Sequence, residues 1–305
     1  MLNIQGGFEV FQSASLEIVN PPKGYMINAW PLFSQYTGGL RLHEFTIFCG
    51  ATGSGKTQFL ANLVCHLTKQ KVKCFIASVE TGQNDFARRM MSAAGRTDFN
   101  SGHAMPMEKF SPTIRANEHM LEHTIFSTHD NRIDVLEMVQ TLQYLNEKKG
   151  VEVAVLDNLN FFLKPTKASD TLIEMDEAVH AFVMLAKKIP IHIFMVMHPK
   201  KTEGGKVLSE FDIKGSSTSV QEASNVLLFN RLNEDEMTGS FSPLTRELVF
   251  KKIRKRGAFV NKKFYMDFNQ GAYDELEDRT SQDNGGIQPT RKAPGRGNKF
   301  FGPDL

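Results

Sequence analysis

The 305-residue sequence predicts an α/β protein with a mainly parallel central sheet flanked by helices and antiparallel strands at its C-terminal edge. Three observations carry that prediction. From about residue 40, apolar runs of strand length alternate with amphipathic helical segments. A glycine-rich loop joins the first run to the first helix. Beyond residue 226, short apolar runs follow one another without long helices between them, as in strands joined by tight turns.

Residues 1–37 read as an arm or linker, too short for a domain and punctuated by Asn20-Pro21-Pro22-Lys23-Gly24 and Thr37-Gly38-Gly39. Residues 38–277 form the main domain. Phe45–Cys49 is a buried strand, and a helix runs from Lys56 to about Lys69. Val72–Ser78 is a second strand and Asn84–Ala94 a helix, with Arg88 and Arg89 beside Phe86, Met90 and Met91. Residues 98–122 fit neither period clearly; His123–Ser127 reads as a strand. Asp134 caps a helix whose Leu136, Val139, Leu142 and Leu145 share a face, and Gly150 ends it. Glu152–Leu156 is a buried strand. Asp170 caps a helix to about Lys188, stopped by Pro190, and Ile191–Met197 is the next strand. Val226–Phe229, Glu247–Lys251 and Phe264–Phe268 are the short strands, expected as antiparallel additions. From 278 to 305 the chain is Gly-, Pro- and Asn-rich and reads as a disordered tail.

Apolar content of 41% and charged content of 23% are those of an ordinary globular protein. A net charge of +2 does not by itself argue for nucleic acid. Cys49, Cys65 and Cys74 lack metal or redox spacing and read as buried, reduced thiols. No apolar stretch reaches membrane-spanning length and no basic N-terminal run precedes an apolar core, so a cytoplasmic protein with no membrane partner is expected.

Gly50-Ala51-Thr52-Gly53-Ser54-Gly55-Lys56-Thr57 is a complete G-x-x-x-x-G-K-[ST] pattern between strand and helix. That context aims backbone N–H groups and a helix N-terminus at one phosphate. Lys56 is placed to reach the β- and γ-phosphates, and Thr57 to hold Mg²⁺. Three polar residues end apolar strands. Asp157 closes Val153-Ala154-Val155-Leu156 and suits Mg²⁺ binding through water. Glu80 follows Ser78-Val79 and suits activation of the attacking water. His198 follows Met197 and suits a hydrogen bond to the γ-phosphate. Taken singly, each has an ordinary alternative: a helix-capping aspartate, an exposed glutamate, a structural histidine.

Together with Asp212-Ile213-Lys214-Gly215-Ser216-Ser217, Gln221-Glu222-Ala223-Ser224-Asn225, Lys252-Ile253-Arg254-Lys255-Arg256-Gly257 and Phe264-Tyr265-Met266-Asp267-Phe268, these motifs resemble the RecA-type motor domain of hexameric replicative DNA helicases, the DnaB, phage primase-helicase and Twinkle group. The resemblance spans roughly residues 38–273. It implies a RecA-like P-loop ATPase fold and a ring, most simply a hexamer, moving 5′ to 3′ on single-stranded DNA with ATP or another nucleoside triphosphate and Mg²⁺. It implies Glu80 as catalytic base, Asp157 as the Mg²⁺-linked acid and His198 as γ-phosphate sensor. Gln221 becomes a link between nucleotide and DNA loop. Lys252 and Arg254 become the pair reaching a neighbour's nucleotide, with Arg254-x-Arg256 as a rival register. Arg231 and Tyr265 match positions that pack on the nucleotide base.

In such rings two loops face DNA. Lys200, Lys201 and Lys206 flank Gly204-Gly205 in one, and Lys214, Gly215, Ser216 and Ser217 open the other, with donors suited to phosphates and no aromatic residue within Lys214–Ser219. A solvated flexible loop is the alternative. Expected partners are single-stranded DNA, further copies of the chain, and a primase, polymerase or single-strand-binding protein. A recombination ATPase of RecA or RadA type and an ATP-gated loader remain open as alternatives. His119-Met120-Leu121-Glu122-His123 matches an inverted zinc-peptidase pattern, but solvated helix histidines are the simpler expectation. Phe300-Phe301-Gly302-Pro303-Asp304-Leu305 is a candidate docking tail.

Overall fold

The computed structural model describes residues 5–22, 24–100, 104–128, 132–163, 168–200, 208–214, 217–232 and 241–276. The chain opens with α1 (Gly7–Val19) and α2 (Pro31–Thr37). The alternating part comprises β1 (Glu44–Cys49), α3 (Lys56–Thr68), β2 (Cys74–Ser78), α4 (Gln83–Gly95), α5 (Met107–Ala116), α6 (Glu118–His123), β3 (Thr124–Phe126), α7 (Val135–Lys149), β4 (Val153–Asp157), α8 (Ala168–Lys188) and β5 (His192–Met197). α9 (Ser217–Glu222) then precedes β6 (Asn225–Arg231), β7 (Arg246–Ile253), β8 (Lys263–Asn269) and β9 (Ala272–Glu275). The expected tail, 278–305, lies outside the described residues.

These strands make one sheet in the order β3-β2-β4-β5-β1-β6-β7-β8-β9. Pairing is parallel from β3 through β6 and antiparallel from β6 outward. The Val226–Phe229 strand therefore departs from expectation. It lies parallel to β1, and only β7, β8 and β9 are antiparallel additions. The long connection through α9 supplies the crossover a parallel return requires.

Strand side chains alternate between two cores, as a pleated sheet demands. Phe45, Ile47, Ala154, Leu156, Ile193 and Met195 pack with α7 and α8. Phe48, Val153, Val155, Phe194 and Val196 pack with α2, α3 and α4. The helix boundaries follow local chemistry. The Asp134 carboxylate accepts from the N–H groups of Leu136 at 2.8 Å and Glu137 at 3.3 Å. Gly150 closes α7 in the left-handed conformation. Two expectations need correction. Leu136 is exposed and Met138 takes the buried place on α7, because the helix meets the sheet on a face rotated from the apolar stripe. α8 begins at Ala168, so Asp170 lies in its first turn rather than at its cap.

The N-terminal segment divides in two. No residue of α1 is buried. Trp30, Phe33 and Tyr36 instead join the core beneath α3. The Trp30 ring stacks on Phe59 at 4.8 Å, and its indole N–H donates to the Tyr273 carbonyl at 3.0 Å. The Glu275 carboxylate accepts from the N–H groups of Leu32 and Phe33 at 2.7 and 2.8 Å, capping α2 from the last strand.

Candidate active site

The site forms where four parallel strands end side by side. β1 ends at Cys49, and residues 50–55 turn into α3. Gly55 caps that helix at φ 99°, and a Cβ there would lie 2.1 Å from the Tyr273 hydroxyl, so both backbone conformation and space demand glycine. Gly53 has φ 71° with the Arg231 guanidinium 2.8 Å from where its Cβ would be. The Lys56 ammonium donates to the carbonyls of Gly50 at 2.7 Å and Ala51 at 3.0 Å. Burial pushes its pKa down, opposed by the nearby Asp157, Cys49 and Glu80.

β2 and β4 lie in register, with Ser78 opposite Asp157. The Asp157 carboxylate is buried and accepts from the Thr57 hydroxyl at 3.0 Å and from the Ser78 hydroxyl at 3.4 Å. Burial raises its pKa, and the Thr57 hydrogen bond acts against that rise. Glu80 and His198 follow β2 and β5, on either side of β4, and meet across it: Glu80 Oε2 lies 3.2 Å from His198 Nε2. Asn158, next after Asp157, ties them. Its amide nitrogen donates to the Glu80 carboxylate and lies 2.9 Å from His198 Nε2. Lys56, Thr57, Glu80, Asp157 and His198 all line one cavity of about 260 Å³, with Thr52, Gly53, Gly55, Gln58, Thr81 and Arg89. A larger cavity, about 390 Å³, lies between α7 and α8; the charged groups of its lining are the carboxylates Asp134, Glu174 and Glu177, which repel phosphate. The polar cavity is the one suited to a triphosphate.

The other predicted residues divide by place. Arg231, at the end of β6, donates to the Gly53 carbonyl. Tyr265 stands on β8 against Phe241, ring centroids 4.6 Å apart, with the Lys263 ammonium 5.7 Å from its ring. Lys252 and Arg254 cap the C-terminus of α9. Lys252 donates to the carbonyls of Val220 at 2.9 Å and Gln221, and Arg254 to those of Gln221, Glu222 and Ala223 at 3.0–3.3 Å. Ile253, between them, pairs with Asn225, the first residue of β6. The pair thus stands at the amino edge of the parallel strands, opposite the edge that carries Lys56. Arg256 donates to the Gln35 carbonyl and faces the Phe259 ring. Lys200 and Lys214 are exposed, each next to a residue of the antiparallel Pro199–Ile213 bridge beyond β5, and Ser217 is the exposed first residue of α9. Lys201, Lys206, Gly215 and Ser216 lie outside the described residues.

Besides Gln58 and Thr81 of the lining, four residues at the site escaped the sequence reading. Asn158 and Arg89 had a signal: one directly follows a strand-end carboxylate, and the other shares a helix with Phe86 and Met90. Arg246 donates from Nε to the Ser54 carbonyl at 2.8 Å, and the Tyr273 hydroxyl, beside the Arg246 guanidinium, lies against Gly55. Both come from antiparallel strands far along the chain. His123 Nδ1 lies 2.9 Å from the His119 carbonyl, and no three His, Cys, Asp or Glu side chains are grouped to hold a metal among the described residues. Cys49, Cys65 and Cys74 are buried free thiols, with burial raising the first two to about 12. No helix among the described residues is long and apolar enough to cross a membrane.

A central-strand phosphate loop, parallel neighbours ending in polar residues and antiparallel outer strands define a RecA-like P-loop ATPase domain. Solved structures agree on the fold. One, an ATPase domain, superposes with a TM-score of 0.71 at 15% identity, over 90% of this chain and 100% of that one. A DnaB-like replicative helicase, described with its interactions with primase, gives 0.72 at 16%, over 89% and 69%. A KaiC-like protein, PH0186 of Pyrococcus horikoshii OT3, gives 0.57 at 14%, over 84% and 100%. The family model for the DnaB-like helicase C-terminal domain matches residues 29–270, and the chain belongs to that family.

Proposed function

We propose that the chain is the ATP-driven motor of a ring, most simply a hexamer, that moves 5′ to 3′ along single-stranded DNA and separates the duplex during replication. The observation that carries this is the gathering of Lys56, Thr57, Glu80, Asp157 and His198 about one cavity in a chain of the DnaB-like helicase family. Phosphoryl transfer depends on positioning and charge neutralisation more than on covalent chemistry. Lys56 and the loop N–H groups hold the triphosphate. Glu80, steadied by Asn158, orients the attacking water and takes its proton, and His198 contacts the γ-phosphate. Arg231 and Tyr265 flank the base, and Gln221, whose carbonyl Lys252 and Arg254 hold at the amino edge, would link a neighbouring subunit's nucleotide to the DNA loop.

The Thr57 hydroxyl and Asp157 carboxylate are hard oxygen donors 3.0 Å apart, a set that fits Mg²⁺, which keeps several waters and needs few protein ligands. When bound, the ion would be held by Thr57 and Asp157 and would supply positive charge that offsets the charge of the triphosphate.

Lys252 and Arg254 face away from their own cavity, so their role lies in the neighbouring subunit, where such a cation contributes about 10³–10⁵ in rate. α1 supports assembly: Phe8, Phe11, Leu16 and Ile18 are exposed, an apolar surface that a neighbouring copy would cover. Lys200, Lys201, Lys206, Lys214, Gly215, Ser216 and Ser217 contact DNA phosphates. A primase is the first partner to test, because one solved neighbour was described with it.

Strand displacement on forked duplexes tests the proposal. ATP should drive displacement from a fork with a free 5′ tail, and Glu80→Gln should bind ATP yet displace nothing. Filaments on DNA without displacement would instead favour a recombination ATPase. Near-normal turnover in Glu80→Gln would remove that residue from catalysis.

A further inference from the structure

Phe211 breaks the rule that a bare aromatic ring is buried. It is 78% exposed, while Leu208 and Ile213 on either side are 6% and 3% exposed. The turn that carries it is fixed. The Asp212 carboxylate accepts from the Ser209 N–H and hydroxyl, both at 2.7 Å. The Lys200 ammonium donates to the Phe211 carbonyl at 3.1 Å, and the Lys200 N–H to the Asp212 carbonyl at 2.6 Å. Pro199 pairs antiparallel with Ile213. Backbone and flanking side chains are therefore anchored, and the ring alone is presented outward.

Two lysines stand beside it, and the neighbouring Asp212 carboxylate is taken up by the Ser209 N–H and hydroxyl. Lys200 and Lys214 are both exposed, next to Pro199 and Ile213 of the bridge beyond the carboxyl end of β5 in the middle of the sheet. A fixed aromatic face beside lysines is the composition that holds single strands, the lysines on phosphates and the ring on a base. We propose that Phe211 is a stacking platform for a base of single-stranded DNA. The inference rests on the single-strand reading above and adds a base contact to it. Every base has a π-face, so such a contact adds affinity without sequence preference.

The test compares oligo(dT) with a sugar–phosphate strand of equal length lacking bases, each bound to the full chain with a nonhydrolysable ATP analogue. Phe211→Ala should weaken oligo(dT) binding by about 5- to 150-fold and leave binding to the baseless strand unchanged. Phe211→Trp should keep the affinity and show indole quenching by oligo(dT) but not by the baseless strand; the chain's own Trp30 is buried. Equal losses on both strands, or no loss on oligo(dT) where Lys214→Ala shows one, would overturn the assignment. So would a Phe211→Ala effect confined to particle mass, which would make the ring a contact between copies. Failure of the unaltered chain to bind either strand would instead overturn the single-strand reading itself.

Discussion

The main-chain N–H of Lys214 donates to the carbonyl of His198 at 3.1 Å. The His198 side chain stands 3.2 Å from Glu80 in the polar cavity. One residue therefore has its ring in the polar cavity and its carbonyl on the segment that carries Lys214. A shift of His198 on loss of the γ-phosphate would reach Lys214 through a single hydrogen bond. Couplings between two sites usually amount to about 5- to 150-fold in affinity. In His198→Ala the ratio of single-strand affinities with and without the ATP analogue should fall to near one. A ratio equal to that of the unaltered chain would show that the coupling runs elsewhere.

Lys214→Ala should keep the fold, since its side chain is exposed. Single-strand affinity should drop, and the log–log salt slope should become shallower by about 0.7, the value for one phosphate contact. Titrations at several salt concentrations measure it; an unchanged slope would take Lys214 off the DNA path.

Asp157 links stability to pH. Its folded pKa is raised by burial above the ordinary 3.8. Between those two values the folded chain binds more protons than the unfolded one, so its contribution to stability falls as pH rises through that window. Asp157→Asn should remove this part of the slope, raise the melting temperature at neutral pH and abolish ATP turnover. Melting curves of both chains across acid and neutral pH give the comparison. Parallel curves would mean that the buried carboxylate carries no such cost.

The parallel half of the fold and the strand-end residues of the site were legible because each rests on a local pattern. An apolar run fixes a strand, and in a parallel sheet the residue after it falls at the carboxyl edge. Glu80, Asp157 and His198 could thus be placed beside Lys56 from the sequence alone. Arg246 and Tyr273 could not. They reach the loop because β7 and β9 lie antiparallel beyond β6, and that register depends on pairings distant in sequence. The position of Lys252 and Arg254 was hidden for the same reason: a basic strand end looks alike at either edge of a sheet. Trp30 and Phe33 lay in a short segment with no period of its own, and their burial follows from tertiary packing alone.

The proposed role of Lys252 and Arg254 offers a complementation test. Arg254→Ala leaves its own cavity whole, and Glu80→Gln leaves its own Arg254 whole. Each variant alone should turn over ATP at about 10⁻³ or less of the unaltered rate. Mixed in equal amounts and allowed to reassemble, about a quarter of random interfaces would join an intact cavity to an intact arginine. Recovery of turnover in the mixture would place Arg254 across the subunit boundary. A mixture as inactive as its parts would assign Arg254 to capping α9 in its own chain.

The two parts of the N-terminal segment should respond oppositely to removal. α1 has no buried residue, so deleting residues 1–22 should change stability by no more than about 0.5 kcal/mol. The same deletion should lower the mass of the particle formed with the ATP analogue, because the exposed Phe8 and Phe11 would be gone. Trp30 is fully buried, stacked on Phe59 and bonded through its indole N–H to the last strand. Trp30→Ala should cost about 3–5 kcal/mol, the range for deleting a large buried aromatic. Because Phe59 lies on the helix that starts at Lys56, the cavity left behind should also weaken nucleotide binding. Denaturant titration and nucleotide-induced stabilisation of the two variants separate these outcomes. A stable Trp30→Ala chain, or a deletion that unfolds the domain, would reverse the assignment of the two parts.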